Sequence, residues 1–170
     1  MASIPSASHG ILSPERESDR AEIIALLERA YWMELETVMS YIANSINPDG
    51  VRAQQVKQSL EADIQEELLH AQQFGARIKE LYGVVPGSMA FKPEQTYLQP
   101  PDHQIDVAQV IRGVIEAEDG AIAHYNELIE RCEGVDPVTQ DMVTTILRDE
   151  EGHRRMFEGF LREYEAERPS

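Results

Sequence analysis

Two Glu-x-x-His steps, Glu67 with His70 and Glu150 with His153, stand in sequence of helical periodicity, and each is preceded by a glutamate seven residues before a tyrosine. The earlier pairs are Glu34 with Tyr41 and Glu118 with Tyr125. The step from first to second glutamate is 33 residues in one half (34 to 67) and 32 in the other (118 to 150). That spacing holds one helix, a turn and the start of the next, so the chain reads as a helical hairpin written twice.

Turn signals divide the chain accordingly. Ser18 can cap a first helix running to about Ile46, where Asn47-Pro48-Asp49-Gly50 makes a turn. A second helix runs from about Val51 to Tyr82 and stops at Gly83. From Gly83 to about His103 the sequence is rich in proline, too long for a tight turn but long enough to run the length of a bundle in extended form. A third helix from about Gln104 to Glu133 ends at Gly134. Asp136-Pro137 then supplies an N-cap and a proline at the first helical position of a fourth helix reaching about Glu165. Short, long and short connections predict an all-α fold, the ferritin-like form of the four-helix bundle, in which two antiparallel helical hairpins are joined by a long crossover. Residues 1–17, serine-containing and without apolar periodicity, are expected as a flexible arm, and 18–166 as the bundle.

Positions three, four and seven residues away share a helix face. By that count Glu34 lies with Leu27, Ala30, Tyr31, Val38 and Tyr41, while Glu36 lies with Arg29, Ser40 and Ala43. Glu67 lies with Leu60, Ile64, His70 and Phe74, and Glu150 with Val143, Ile146, His153 and Phe157. Glu118 lies with Ile111, Val114, Ala121 and Tyr125, whereas Glu116 shares a polar face. Glu34, Glu67, Glu118 and Glu150 are therefore the inward acids. A carboxylate taken into a dry core without compensation costs several kcal/mol or is driven to its neutral form. Two divalent cations would cancel four glutamates, and two neutral imidazoles add ligands without adding charge. The i, i+3 step sets glutamate and histidine about 60° apart around the helix and roughly 4.5 Å apart along it, so one helix can present both to a metal pair. Oxygen-rich donors with one nitrogen per metal favour iron, with manganese possible, over structural zinc.

Glu66 and Asp149 precede the two motif glutamates and are placed to hold a ring N–H of a ligand histidine. Tyr41 and Tyr125 are candidates to hydrogen-bond ligands or to pass an electron or proton. His9, His103 and His124 are expected in solvent. Trp32, Met33, Met39, Leu68 and Leu69 lie off the metal-facing stripes and suggest a homodimer through the first hairpin.

A formal charge of −16 argues against nucleic acid or an anionic membrane as partner and favours a cation. No apolar run is long enough to span a bilayer and no secretory signal opens the chain, so the expected location is cytoplasmic. The single cysteine, Cys132, can form neither an internal disulfide nor a Cys-x-x-Cys metal site.

The stretch ILRDEEGH (Ile146 to His153), with Glu34-Leu35 followed by Tyr41 and the Glu67-x-x-His70 motif, resembles the bacterioferritin branch of the ferritin-like superfamily over about Asp19 to Tyr164. The resemblance implies a di-iron ferroxidase centre with two iron ions per chain. Glu34 and Glu118 correspond to its terminal ligands and Glu67 and Glu150 to its bridging ones, with His70 and His153 completing the two iron positions. Bacterioferritins carry a haem-ligating methionine after the first bridging glutamate; Leu68 stands there, so no haem is expected. Members that close the largest shells add a short fifth helix, for which the residues after His153 leave no room beyond the fourth. The leading function is oxidation of Fe(II) by oxygen or peroxide, for iron storage, detoxification and protection from oxidative stress. A di-iron oxidase, oxygenase or peroxidase acting on another substrate is the first alternative, and a non-enzymatic, metal-stabilised bundle the second.

Overall fold

The computed structural model describes residues 9–166. Four helices carry its regular structure: α1 (Glu17–Ile46), α2 (Gln54–Glu80), α3 (Val107–Cys132) and α4 (Pro137–Ala166), with no strand among the described residues. α1 lies along α2 and α3 along α4, and the two hairpins meet chiefly through α1 against α3. This is the ferritin-like bundle that the connection lengths predict.

The helix ends show local chemistry at work, with two departures from expectation. α1 does not open on Ser18. Pro14 begins a single 3₁₀ turn, Pro14–Arg16, that runs directly into α1 and leaves Ser18 inside the first helical turn. Ahead of it, within the expected arm, Ile11 is buried among Ile23, Leu27 and their neighbours, and Arg20 donates to the carbonyls of Ile11 and Ser13 at 2.8 and 2.5 Å. Packing therefore begins before Ser18, while residues 1–8 lie outside the described residues. At the end of α2 the left-handed residue is Tyr82 (φ 70°), not Gly83. Tyr82 N–H bonds the carbonyl of Lys79 and Gly83 N–H that of Ile78, which closes the last turn. Gly83 serves there by its size, since a Cβ would meet the Ile78 carbonyl oxygen at 2.9 Å. The Asp106 side chain caps α3 through Gln109 N–H, and Asp136 caps α4 through Thr139 N–H, with Pro137 first in the helix as the sequence predicts.

The core falls into two apolar blocks. One, with Ile23, Leu27, Phe74, Ile78, Leu128 and Ile146, fills the end near the start of α1. The other, with Val56, Leu60, Leu98, Ile111, Val114 and Phe157, fills the opposite end. Full burial of each such side chain contributes about 1.5–3 kcal/mol, which is what holds a layer of acids between the blocks. Toward the first end a second polar cluster also crosses the hairpins. Arg77 donates to both carboxylate oxygens of Asp136 at 2.9 and 3.0 Å and to Thr139 Oγ1 at 2.8 Å.

The crossover carries two 3₁₀ turns, Ser88–Ala90 and Thr96–Leu98, and is seated along the α1–α3 seam. Glu36, expected on a polar face, is instead buried beneath it. Its carboxylate accepts the backbone N–H groups of Glu94 and Gln95 at 2.8–2.9 Å. Asn44 donates to the Leu98 carbonyl at 2.9 Å. Gly113 lets α3 approach, because a Cβ there would sit 2.5 Å from the Tyr97 carbonyl oxygen.

Candidate metal centre

Between the two apolar blocks the four inward helix faces bring together the six side chains singled out by the repeat. Glu34, Glu67, His70, Glu118, Glu150 and His153 are all buried, while Glu116 is exposed. Their ligand atoms form two overlapping groups, Glu34–Glu67–His70–Glu150 and Glu67–Glu118–Glu150–His153, each within 4.8 Å. Glu67 and Glu150 belong to both. His70 Nδ1 lies 3.0 Å from Glu150, 3.5 Å from Glu67 and 3.8 Å from Glu34. His153 Nδ1 lies 3.4 Å from Glu67, 3.5 Å from Glu150 and 4.0 Å from Glu118.

Each half of the repeat completes the other. The tyrosines exchange: Tyr41 on α1 donates to Glu118 on α3 at 2.6 Å, and Tyr125 on α3 donates to Glu34 on α1. The outer acids exchange too. Glu66 on α2 lies 3.2 Å from His153 Nε2, and Asp149 on α4 lies 3.7 Å from His70 Nε2. Each histidine therefore turns Nδ1 to the shared glutamates and Nε2 to an acid on the other hairpin, an orientation suited to a metal-bound imidazole.

Electrostatics show what the cluster lacks. Burial, then the charges of Glu67 and Glu150, hold Glu34 well above the usual carboxylate range. Burial and the same two glutamates do so for Glu118. Burial acts against charge on Glu67 as well, but contacts with His153 and His70 outweigh it and hold the group at about 2. Burial opposes protonation of the histidines, yet Glu150 and Glu67 override it and push His70 up to about 10 and His153 to about 12. Without metal, the acid layer is balanced by protons. Even so, both oxygens of Glu67, Glu150 Oε1 and the Nδ1 atoms of both histidines are buried and, though they lie 3.0–3.5 Å from one another, make no aligned hydrogen bond. Unpartnered buried polar atoms are costly. These converge on two points at which a divalent cation would meet three carboxylates and one imidazole, so the donor set fits a pair of metal ions of the hard or borderline kind.

Two residues near the centre went unmarked by the repeat. Asp63 is buried with Oδ1 3.8 Å from His153 Nε2, and burial pushes its carboxyl up to about 6. Its place four residues before Glu67, on the same helix face, is the signal that could have found it. Gln95, from the crossover, lines a small cavity against the four glutamates, and no helical periodicity could have pointed to it. Of the histidines expected in solvent, His9 and His103 are exposed. His124 is buried and donates Nε2–H to the Leu26 carbonyl at 2.9 Å, and burial holds its ring below the usual pKa. The Leu26 carbonyl satisfies one ring nitrogen, and the other lies 3.7 Å from Glu127.

The fold and the paired ligand groups define a ferritin-like protein, and the ferritin-like domain family model matches residues 24–166. The chain belongs to that family. It is 26% identical over 148 residues to the bacterioferritin of Desulfovibrio desulfuricans, covering 86% of this chain and 78% of that one. It is 25% identical over 154 residues to a DNA protection during starvation protein of Pyrococcus furiosus, covering 84% and 78%. The structure of a dodecameric thioferritin, the bacterioferritin-related protein from Bacteroides fragilis, matches with a TM-score of 0.75 at 25% identity, covering 86% of this chain and 88% of that one.

Proposed function

We propose that the protein is a di-iron ferroxidase, which binds two Fe(II) in the acid layer and oxidises them with dioxygen or peroxide. The observation that carries this reading is the sharing of Glu67 and Glu150 between two ligand groups, with three of their four oxygens buried and without a hydrogen bond. Two Fe(II) give up one electron each, the two electrons that the O–O bond of hydrogen peroxide takes on becoming two waters with two protons. Metal pairs supply the Lewis acidity and the electrons for such chemistry.

The residues around the site supply the rest. Glu34 and Glu118 are the end ligands, each held by the tyrosine of the other hairpin, so neither can swing away without breaking a buried hydrogen bond. The same hydroxyls place Tyr41 and Tyr125 where they can hand a proton or an electron to the centre. His70 and His153 release their protons as metal enters; Glu66 accepts the opposite ring N–H of His153, and Asp149 faces that of His70 at 3.7 Å. The net charge of −16 raises the local concentration of cations. Relatives named bacterioferritin and DNA protection during starvation protein support a role in iron handling or oxidative protection. The dodecameric neighbour supports a homo-oligomer, for which Met39, Ile42 and Leu69 offer exposed apolar surface on the first hairpin. Among the described residues no helix is long and apolar enough to cross a membrane.

The test is rapid mixing of metal-free protein with Fe(II) and either oxidant. Glu67→Ala and Glu150→Ala are each expected to abolish the fast phase; unchanged rates in both variants would sink the assignment.

A further inference from the structure

The two approaches to the acid layer differ in kind. On the α2–α4 side stand the carboxylates of Asp63, Glu66 and Asp149, a face that attracts cations and repels anions. On the α1–α3 side the seam is lined by uncharged Met33, Thr37, Ala117 and Ala121. Two alanines on α3 leave a gap there, and the crossover closes it with one side chain, Gln95.

Gln95 is 3% exposed and fixed at several points. Its backbone N–H donates to Glu36 at 2.8 Å. Its side-chain Nε2 donates to Thr37 Oγ1 at 2.8 Å and to the Met33 carbonyl at 3.3 Å. A carbonyl only accepts, so the second contact settles which end of the amide is nitrogen. Oε1 is left buried with no partner in the protein. The cavity that Gln95 shares with the four glutamates measures about 10 Å³, space for one water-sized molecule.

We infer that Gln95 is the specificity-determining residue of the α1–α3 approach: it narrows the seam to a small molecule and offers that molecule a hydrogen-bond acceptor. The ligand class is a small protic one: water fits the cavity as it stands, and hydrogen peroxide, with one more oxygen, brings the same O–H donors. Dioxygen has no hydrogen to donate, and a larger anion such as azide has neither a hydrogen nor the room. The inference deepens the ferroxidase reading and rests on it for the identity of the oxidant, while the size limit concerns metal access alone.

Two readouts test it. The first uses protein loaded with two cobalt(II) ions per chain and follows the visible cobalt bands as azide is added. The acids of the α2–α4 face repel an anion, whereas in the seam the Glu36 carboxylate is already engaged by two backbone N–H groups, so the seam is the route whose azide access a Gln95 variant changes. Gln95→Ala is expected to lower the azide concentration needed for half the spectral change at least tenfold relative to the unaltered protein. Gln95→Leu, which keeps the bulk, should stay near it. The second readout compares Fe(II) oxidation by hydrogen peroxide with oxidation by dioxygen. Gln95→Leu, which loses the acceptor, is expected to reduce the peroxide-to-dioxygen rate ratio about fivefold, the size of one ordinary hydrogen bond. Both variants keep the Glu36 and Gly113 anchors of the crossover, and their melting temperatures report whether it stays seated. An azide response in Gln95→Ala equal to that of the unaltered protein overturns the size limit, and an unchanged rate ratio in Gln95→Leu overturns the acceptor role. Protein that takes up two cobalt ions but oxidises no iron overturns the ferroxidase reading instead and leaves azide to decide Gln95.

Discussion

Two buried clusters of charged side chains join the hairpins of this bundle, and they solve the problem of buried charge in opposite ways. At one end a single guanidinium nitrogen of Arg77 donates to both carboxylate oxygens of Asp136, and Nε reaches Thr139 as well, so the cluster carries its own cation and its donors and acceptors are used. In the middle, four glutamates face two histidines and leave five buried polar atoms without a hydrogen bond. The first arrangement is a rivet, complete when the chain is folded. The second is balanced only by protons, with donor atoms left over that a pair of cations would use, and that difference, more than burial or acidity alone, is what would separate a binding site from a structural ion pair.

The contrast breaks most readily at Arg77. Arg77→Ala leaves Asp136 buried and uncompensated, with an expected loss of about 3–5 kcal/mol in urea unfolding, and the loss should be the same with and without metal. A loss that metal repairs would mean that the two clusters are one system. The next effect runs the other way. Adding a divalent metal at 100 times its dissociation constant should stabilise the protein by about 2.7 kcal/mol per independent site, seen as a rise in melting temperature. Glu67→Ala should remove that rise while leaving the Arg77 cluster intact.

Glu36 is a third case, a buried carboxylate satisfied by two backbone amides rather than by a cation. Glu36→Ala exposes no charge but orphans the N–H groups of Glu94 and Gln95, for an expected cost of about 2 kcal/mol, again independent of metal. Equal proteolysis of the crossover in variant and unaltered protein would show that the amides hold nothing.

The gentlest test is the pH dependence. In metal-free protein Glu34 and Glu118 are held above the ordinary range, and His70 and His153 are raised to about 10 and about 12. Groups whose pKa is raised by folding stabilise below their unfolded values, about 4.3 for glutamate and 6.5 for histidine, and that contribution disappears as pH climbs through the folded value. Glu67, lowered to about 2, works the other way: its contribution is present above the unfolded value and is lost as pH falls toward the folded one. Between about pH 6 and about pH 8 the raised groups decide the slope, so metal-free protein should weaken as pH rises. Metal must displace the same protons, so its affinity should grow with pH. A metal-dependent rise in melting temperature that stays constant over that interval would contradict the proton-balanced acid layer.

Much of this was legible in the chain itself. The paired Glu-x-x-His steps and their glutamate–tyrosine partners locate all six buried ligand candidates, because helix periodicity carries direct information on which side chains share a face. Glu66 and Asp149 were legible as partners of a ring N–H, though periodicity within one helix could not tell that each serves the histidine of the other hairpin. Glu36 and His124 were misplaced for one reason. Each is polar on its own helix and buried only by something that packs from elsewhere, the crossover in one case and the Leu26 carbonyl of α1 in the other. Gln95 was invisible for the same reason in its strongest form, since its role depends on where an irregular segment comes to rest.

The exchange of ligands between hairpins has a consequence for the newly made chain. Glu34, Glu67 and His70 emerge early, but the group they belong to closes only with Glu150. The other group draws Glu67 from the first hairpin to stand with Glu118, Glu150 and His153. While the protein is still on the ribosome, folding from its N-terminal end, neither ligand group is complete. On the proposed reading, a half-finished molecule would offer a cation neither complete ligand group, and metal capture would report that the last helix has docked.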